Sequence, residues 1–262
     1  MISSQINIGP ITFHLYGFII AIAIFLGWSL AKKRAKIYNI PVAIFEDPIL
    51  LVPLALSIIG ARIYHVVDYW RVYKTDPLSI IYIFNGGLGI WGALIGAFIG
   101  FFVISKLKKI SLLSILDLAA PSFLLAQAFG RIGNYINQEG FGPPSNLPWS
   151  VFINKSNRPD QFKEYSYFHP TFFYEAIIDF IFFLIILLIS KKTKKPGQTF
   201  SIYLILYSTG RVVAEYFRID TWQIGTFKVA YVLSIATLSL GLLLFFFYQT
   251  QTKKGIRRVD RN

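Results

Sequence analysis

Apolar residues in this chain come in blocks of about 18–20 separated by short polar breaks, the length that crosses about 30 Å of hydrocarbon as a helix. Seven blocks are expected to span: about His14–Ala31, Pro48–Val67, Gly87–Ser105, Leu112–Phe129, Thr171–Ser190, Phe200–Phe217 and Phe227–Tyr248. Asp117 and Pro121 interrupt the fourth. Pro121 is expected to kink that helix without ending it, because a neighbouring helix can satisfy the carbonyl that proline frees. The predicted fold is all-α, a polytopic membrane protein of seven transmembrane helices forming one domain over residues 1–262.

The apolar pattern breaks most abruptly between Ala126 and Gly142, where Arg131, Asn134, Asn137, Gln138 and Glu139 follow one another between the glycines 130, 133, 140 and 142. Charged and amide groups at a membrane edge must find partners, which points to something polar bound there. The fourth span is expected to end near Phe129, with Asn134 to Gly142 as a turn-rich lip. The segment at about 140–169, with four prolines and mixed charge, is expected to be a small irregular head or substrate-guiding flap.

Composition agrees: 55% of residues are apolar and 15% charged, which excludes an ordinary soluble domain. The net charge of +13 is concentrated, with 16 of the 26 basic residues in four clusters following the first, third, fifth and seventh blocks. The first thirteen residues carry none, so the positive-inside rule predicts the N-terminus outside and the C-terminus cytoplasmic. At the inner surface the clusters would attract anionic membrane lipids. They are membrane-proximal and lack interleaved aromatic platforms, so nucleic acid is not an expected partner. The first block has no basic region ahead of it and does not read as a cleavable signal peptide. With no cysteine in the chain, any thiol chemistry takes its thiol from the substrate.

Charges inside the blocks mark candidate chemistry. Arg62 lies about 21 Å along a helix beginning near Pro48, at about 1.5 Å per residue, and the same counting brings Arg131 and Arg211 to a similar depth in the outer half. Like charges gathered in low dielectric call for carboxylates, a bound anion, or both. Glu139, Glu175 and Glu215 are candidate orienters, and a phosphate suits guanidinium forks because it accepts paired hydrogen bonds. Glu175 and Asp179, four apart, are expected to meet Arg62 or Arg131, while Arg211, Glu215 and Arg218 form a charged stripe on one helix face. Gly92, Gly96 and Gly100 line one face suited to close helix packing, and Gly86-Gly87 suits a backbone turn. His14, His65 and His169 have no metal-ligand spacing, and neither a metal nor a cofactor is expected.

The run Gly130-Arg131-Ile132-Gly133-Asn134-Tyr135-Ile136-Asn137-Gln138-Glu139-Gly140-Phe141-Gly142 closely resembles the signature of the prolipoprotein diacylglyceryl transferases. The likeness extends to His14-Leu15-Tyr16-Gly17, Gly60-Ala61-Arg62, the double glycine before the third span, His169-Pro170 with Tyr174-Glu175, and Tyr207 through Arg211 to Glu215 and Arg218. The resemblance implies an enzyme of the bacterial plasma membrane with its active site toward the outer leaflet. It would transfer the diacylglyceryl group of phosphatidylglycerol to the lipobox cysteine in the signal peptide of a prolipoprotein. The product is a thioether and glycerol phosphate leaves.

In that mechanism Arg131 and Arg211 hold the phosphate and stabilise the charge that develops on it. Asn134 and Glu139 fix Arg131 and the headgroup glycerol, and Tyr16 and Tyr207 donate hydrogen bonds. Glu215, His14, Gly142 and Arg62 complete the expected substrate contacts. Two other classes use the same charges: a transporter, and a protein that binds anionic lipid without turnover. Against transport, the polar groups crowd the outer half, without inner-half counterparts or convincing inverted-repeat halves.

One departure stands out: Trp91 occupies the place after the double glycine where many family members have histidine. The thiol, ordinarily near pKa 8.5, must then ionise in the arginine field or against His14, His169 or a carboxylate, and the field ranks first. If no base is needed at that position, Trp91→His should leave transfer activity essentially unchanged. A large gain in a membrane transfer assay would identify position 91 as an impaired site.

Overall fold

In lipid, a backbone segment satisfies its own polar groups as helix, and the long apolar runs of this chain do so. The computed structural model describes residues 5–8, 11–83, 86–193, 195–219 and 221–259, with side chains described between 15 and 248. The helices are α1 (Leu15–Arg34), α2 (Leu51–Asp68), α3 (Trp70–Tyr73), α4 (Ile90–Lys108), α5 (Leu112–Asn137), α6 (Thr171–Ile189), α7 (Gln198–Phe217) and α8 (Val229–Val259). Three small antiparallel ladders join them: β1 (Gln5–Ile8) with β2 (Ile11–His14), β3 (Val151–Phe152) with β4 (Tyr167–Phe168), and β5 (Gln223–Ile224) with β6 (Phe227–Lys228).

Among the described residues six segments are long and apolar enough to cross a membrane: Leu15–Tyr38, Pro48–Asp68, Ile90–Lys108, Leu112–Asn137, Thr171–Ile189 and Val229–Tyr248. The protein is an all-α polytopic membrane protein. The remaining expected span coincides with α7, which is equally long but less apolar, because Arg211, Glu215 and several Tyr, Ser and Thr residues lie within it.

The chain divides into two compact units, residues 34–116 and residues 1–33 with 117–262. In the first, α2 packs on α4 through the expected glycine face, and Gly92, Gly96 and Gly100 are all buried. A Cβ on Gly96 would fall on the backbone at Leu56 and Ser57, and one on Gly100 would fall on Pro53. The two helices therefore approach closely, as small residues permit.

In the other unit, α5, α6 and α7 share an apolar core of Ala120, Leu124, Leu125, Phe183, Ile186, Tyr203 and Leu204. The buried residues of α6, Thr171, Phe172, Glu175, Asp179, Phe183 and Ile186, recur at helical spacing, so the face that packs against the core also carries both carboxylates. The register of α7 is set at its start. Gly197 is left-handed at φ 95°, and the buried carboxylate of Asp117 on α5 accepts from the Gly197 N–H at 2.6 Å and the Phe200 N–H at 2.7 Å. A carboxylate at a helix N-terminus satisfies otherwise unpaired donors and complements the dipole. Asp117, one of the two residues that interrupt the fourth apolar block, is thus the cap of α7.

Two local expectations change. The helix of the fourth expected span, α5, does not end near Phe129 but continues through Pro121 and the polar run to Asn137, so Arg131 and Asn134 are helical. The first left-handed residues after it are Gln138, at φ 53°, and Gly140, at φ 70°. Gly133 suits this continued helix because the Tyr16 ring occupies the space a Cβ would need. The segment at about 140–169 is not wholly irregular: β3 pairs with β4, and Phe141, Ile153 and Phe168 pack with Phe172 of α6 into a small core of their own.

Because the α2–α4 contact has no room for a side chain, Gly96→Val should lower the stability of detergent-solubilised protein by about 1–3 kcal/mol, the usual cost of overpacking. A thermal melt should show this, with Gly17→Ala, where the space is open, as the unshifted control.

Candidate active site

Three helices of the unit formed by residues 1–33 and 117–262 bring charge to one place. Arg131 comes from α5, Glu175 and Asp179 from α6, and Arg211 and Glu215 from α7, with Arg218 immediately after α7. Glu175 is shared. Its Oε2 lies 2.8 Å from Arg131 Nη2 and 3.8 Å from Arg211 Nη1, and its Oε1 accepts from Arg218 Nη1 at 3.4 Å. Arg211 Nη2 also pairs with Glu215 Oε2 at 2.7 Å, across one turn of the same helix.

The exposures give this cluster a direction. The Glu175 and Glu215 side chains are 4% and 0% exposed, whereas those of Arg131 and Arg211 are 22% and 20% exposed. The carboxylates are the more deeply buried partners, and the guanidinium groups line a small open cleft together with Glu175, Asp179 and Tyr207 among others. Arg131 Nε and Arg211 Nη1 are buried and hydrogen-bond to no acceptor among the described residues, Arg211 Nη1 having only its 3.8 Å ion pair with Glu175. Two guanidinium forks held by carboxylates, each with an unspent donor, suit an oxyanion that accepts several charge-assisted hydrogen bonds.

The other expected residues fall into place unevenly. Tyr207 lines the cleft and stacks on Tyr203, whose hydroxyl accepts from Gln127 Nε2 at 3.2 Å. Tyr16 lies against α5 at Gly133, within electrostatic reach of Arg131 and Glu139. Glu139 accepts from Asn137 Nδ2 at 3.3 Å, while the carboxylate on Arg131 is Glu175. Asn134 accepts the Glu139 N–H on its carbonyl and so shapes the turn that follows α5. Gly142 is a packing position: its N–H bonds to the His169 carbonyl at 2.8 Å, and Phe217, Thr171 and His169 leave no space for a Cβ. The side chain of His14 lies outside the described residues; its backbone ends β2.

Arg62 belongs to the unit formed by residues 34–116 and is spent there. Nε donates to Ile80 O, Nη1 to Gly86 O and Gly87 O, and Nη2 to Ser79 O and Tyr82 O. The guanidinium also lies over the Tyr73 ring, 5.1 Å from its centroid. The partners that burial demands are therefore main-chain carbonyls, neither Glu175 nor Asp179. Gly86 and Gly87, at φ 87° and 75°, form the turn that presents two of these carbonyls. Among the described residues no group of three or more His, Asp or Glu side chains is placed to hold a metal ion.

Glu175 and Asp179 were expected as partners of Arg62 or Arg131, and Arg218 as part of the charged stripe of α7, but none of the three was assigned a contact with substrate. The four-residue spacing of the two acids and the position of Arg218 three residues beyond Glu215 put all three on charged helix faces. What spacing cannot supply is that these faces turn toward one another.

A sequence model described as prolipoprotein diacylglyceryl transferase matches residues 3–247. Three similar proteins each bear the name phosphatidylglycerol–prolipoprotein diacylglyceryl transferase. The one from Trichormus variabilis is 39% identical over 244 residues, covering 90% of this chain and 86% of the relative. That from Clostridium novyi is 39% identical over 229 residues, covering 87% and 89%. That from Finegoldia magna is 40% identical over 241 residues, covering 92% and 93%. With a family match across nearly the whole chain and relatives this similar over most of their own length, the chain belongs to the prolipoprotein diacylglyceryl transferase family.

Proposed function

We propose that this protein transfers the diacylglyceryl group of phosphatidylglycerol to the lipobox cysteine thiol of prolipoproteins, the first step of bacterial lipoprotein maturation. The observation that carries the site assignment is the pair Arg131 and Arg211, held by Glu175 and Glu215 and lining a cleft, each with an unspent donor. The thiol sulfur attacks the glycerol carbon that bears the phosphoester, the carbon–oxygen bond breaks, and glycerol phosphate departs. Charge accumulates on the phosphate oxygens as that bond breaks. Fixed guanidinium donors in a water-poor cleft stabilise it more than they stabilise the ground state.

The ion pairs keep the two arginines in place before substrate arrives, so little reorganisation accompanies the reaction. Tyr207 and Tyr16 supply hydroxyl donors, and Asn134 and Glu139 shape the end of α5 around the headgroup glycerol. His14 and Gly142 border the substrate, Gly142 through the backbone contact it makes with His169. Arg62 serves by holding the Gly86-Gly87 turn, since its donors are already engaged there.

The chain is a single domain of seven spans in the bacterial plasma membrane, α7 being the sixth to cross and α8 the seventh. Its N-terminus is outside, its C-terminus is cytoplasmic, and the cleft opens toward the outer leaflet. The basic clusters after the first, third, fifth and seventh spans support that orientation.

Purified protein given labelled phosphatidylglycerol and a lipobox peptide should move the label to the peptide. Arg131→Ala and Arg211→Ala should each reduce transfer by about 10²–10³-fold while the protein still inserts, the loss typical when an oxyanion donor is removed. Undiminished transfer by Arg131→Ala would remove it from the site, and flux across liposomes without transfer would mark a transporter. Because the native chain has no cysteine, orientation can be read from single replacements. Ser156→Cys should react with a membrane-impermeant maleimide in intact cells and Lys192→Cys should not; the reverse pattern would invert the topology.

A further inference from the structure

Transfer as read above requires that the thiol lose its proton, and among the described residues the cleft holds one acidic group with no bonded partner. Two carboxylates line it, Glu175 and Asp179; Glu175 is shared by three guanidinium groups, and Glu215, which does not line the cleft, is fully buried against Arg211. Asp179, one turn along α6 from Glu175, lines the same cleft and makes no hydrogen bond or ion pair among the described residues. His169 does not line the cleft; its Nδ1 meets the Tyr174 hydroxyl at 3.3 Å.

We infer that Asp179 is the catalytic residue that accepts the proton from the lipobox thiol, an inference that rests on the transfer reading. The groups facing it are Arg131 of α5, Glu175 of its own helix, and Tyr203, Tyr207 and Arg211 of α7. The S–H proton passes to the Asp179 carboxylate. The sulfur lone pair forms the bond to the glycerol carbon, and the electron pair of the breaking carbon–oxygen bond leaves on the phosphate. Asp179 then returns the proton to the departing glycerol phosphate or to water.

The charges support this order of events. Arg131, Arg211 and Arg218 face Glu175, Glu215 and Asp179, three against three. Proton uptake by Asp179 leaves one positive charge in excess as negative charge moves toward the phosphate. The arginine field and the carboxylate thus act together, the first stabilising thiolate and leaving group, the second removing the proton.

The test compares the full-length wild type with Asp179→Asn, Asp179→Glu and Arg131→Ala in vesicles containing phosphatidylglycerol, using lipobox peptides that carry cysteine or selenocysteine. With the cysteine peptide near pH 7, Asp179→Asn should lose about 10²–10⁴-fold, the usual contribution of a positioned base. Its residual rate should rise about tenfold per pH unit toward the thiol's own pKa of about 8.5. The selenol, already ionised at neutral pH, should restore much of the loss, and Asp179→Glu should retain more activity than Asp179→Asn. An unchanged rate and pH profile in Asp179→Asn overturns the inference. So does a loss that is equal for thiol and selenol at every pH, or equal in the Asn and Glu variants. If the wild type transfers nothing, the transfer reading falls and takes this inference with it. If only Arg131→Ala fails to lose activity, the phosphate clamp falls and the proton acceptor stands.

Discussion

The carboxylate of Glu175 is the contact on which the polar interior depends. It is 4% exposed and lies on the core-facing stripe of an otherwise apolar helix, where a lone ionised carboxyl would be expensive. Three guanidinium groups offset that cost, one from α5, one from α7 and one from the residue that ends α7. The dependence runs both ways, because three arginines this close in low dielectric repel one another unless a negative charge lies among them. Removing one partner of such a network leaves the rest buried and unpaired, which typically costs several kcal/mol. Glu175 therefore fixes how the ends of α5, α6 and α7 meet.

The remaining structure reads as support for that meeting. Asp117 caps α7 from α5 and so sets the height at which Arg211 and Glu215 arrive. Gly133 admits the Tyr16 ring against α5 beside the same cluster. In the unit of residues 34–116 the glycines of α4 perform a different task, closing the distance to α2. Arg62 there shows the contrasting use of a buried arginine: five donors directed at main-chain carbonyls organise a turn and leave no fork for a ligand. Arg131 and Arg211 differ because they line a cleft and each keeps a buried donor with no hydrogen-bond acceptor among the described residues.

Much of the candidate site was legible in the residues. Arg131, Arg211 and Glu215 stand out as charges within apolar blocks, and a charge there must have a partner. The acids of α6 and the stripe of α7 follow from three- and four-residue spacing. Arg62 was legible as a buried cation but not as a loop organiser, since its acceptors are carbonyl oxygens that every residue carries. The turn after α5 was placed too early: the glycines at 130 and 133 permit a helix as readily as a loop, and here the helix continues to Asn137.

Hydrophobic block length, basic clusters and helical spacing are local properties, so the sequence by itself determined the all-α membrane class, the bounds of most helices to within a few residues, and which helix faces carry charge. The signature around Arg131 determined the family. Only the tertiary structure decided that Glu175 joins Arg131, Arg211 and Arg218, that Arg62 is bound by its own loop, and that Asp179 stands in the cleft without a bonded partner. Those pairings depend on how helices pack and on where each one starts, and both are set by contacts between residues tens of positions apart, Asp117 with Gly197 and Arg131 with Glu175 among them.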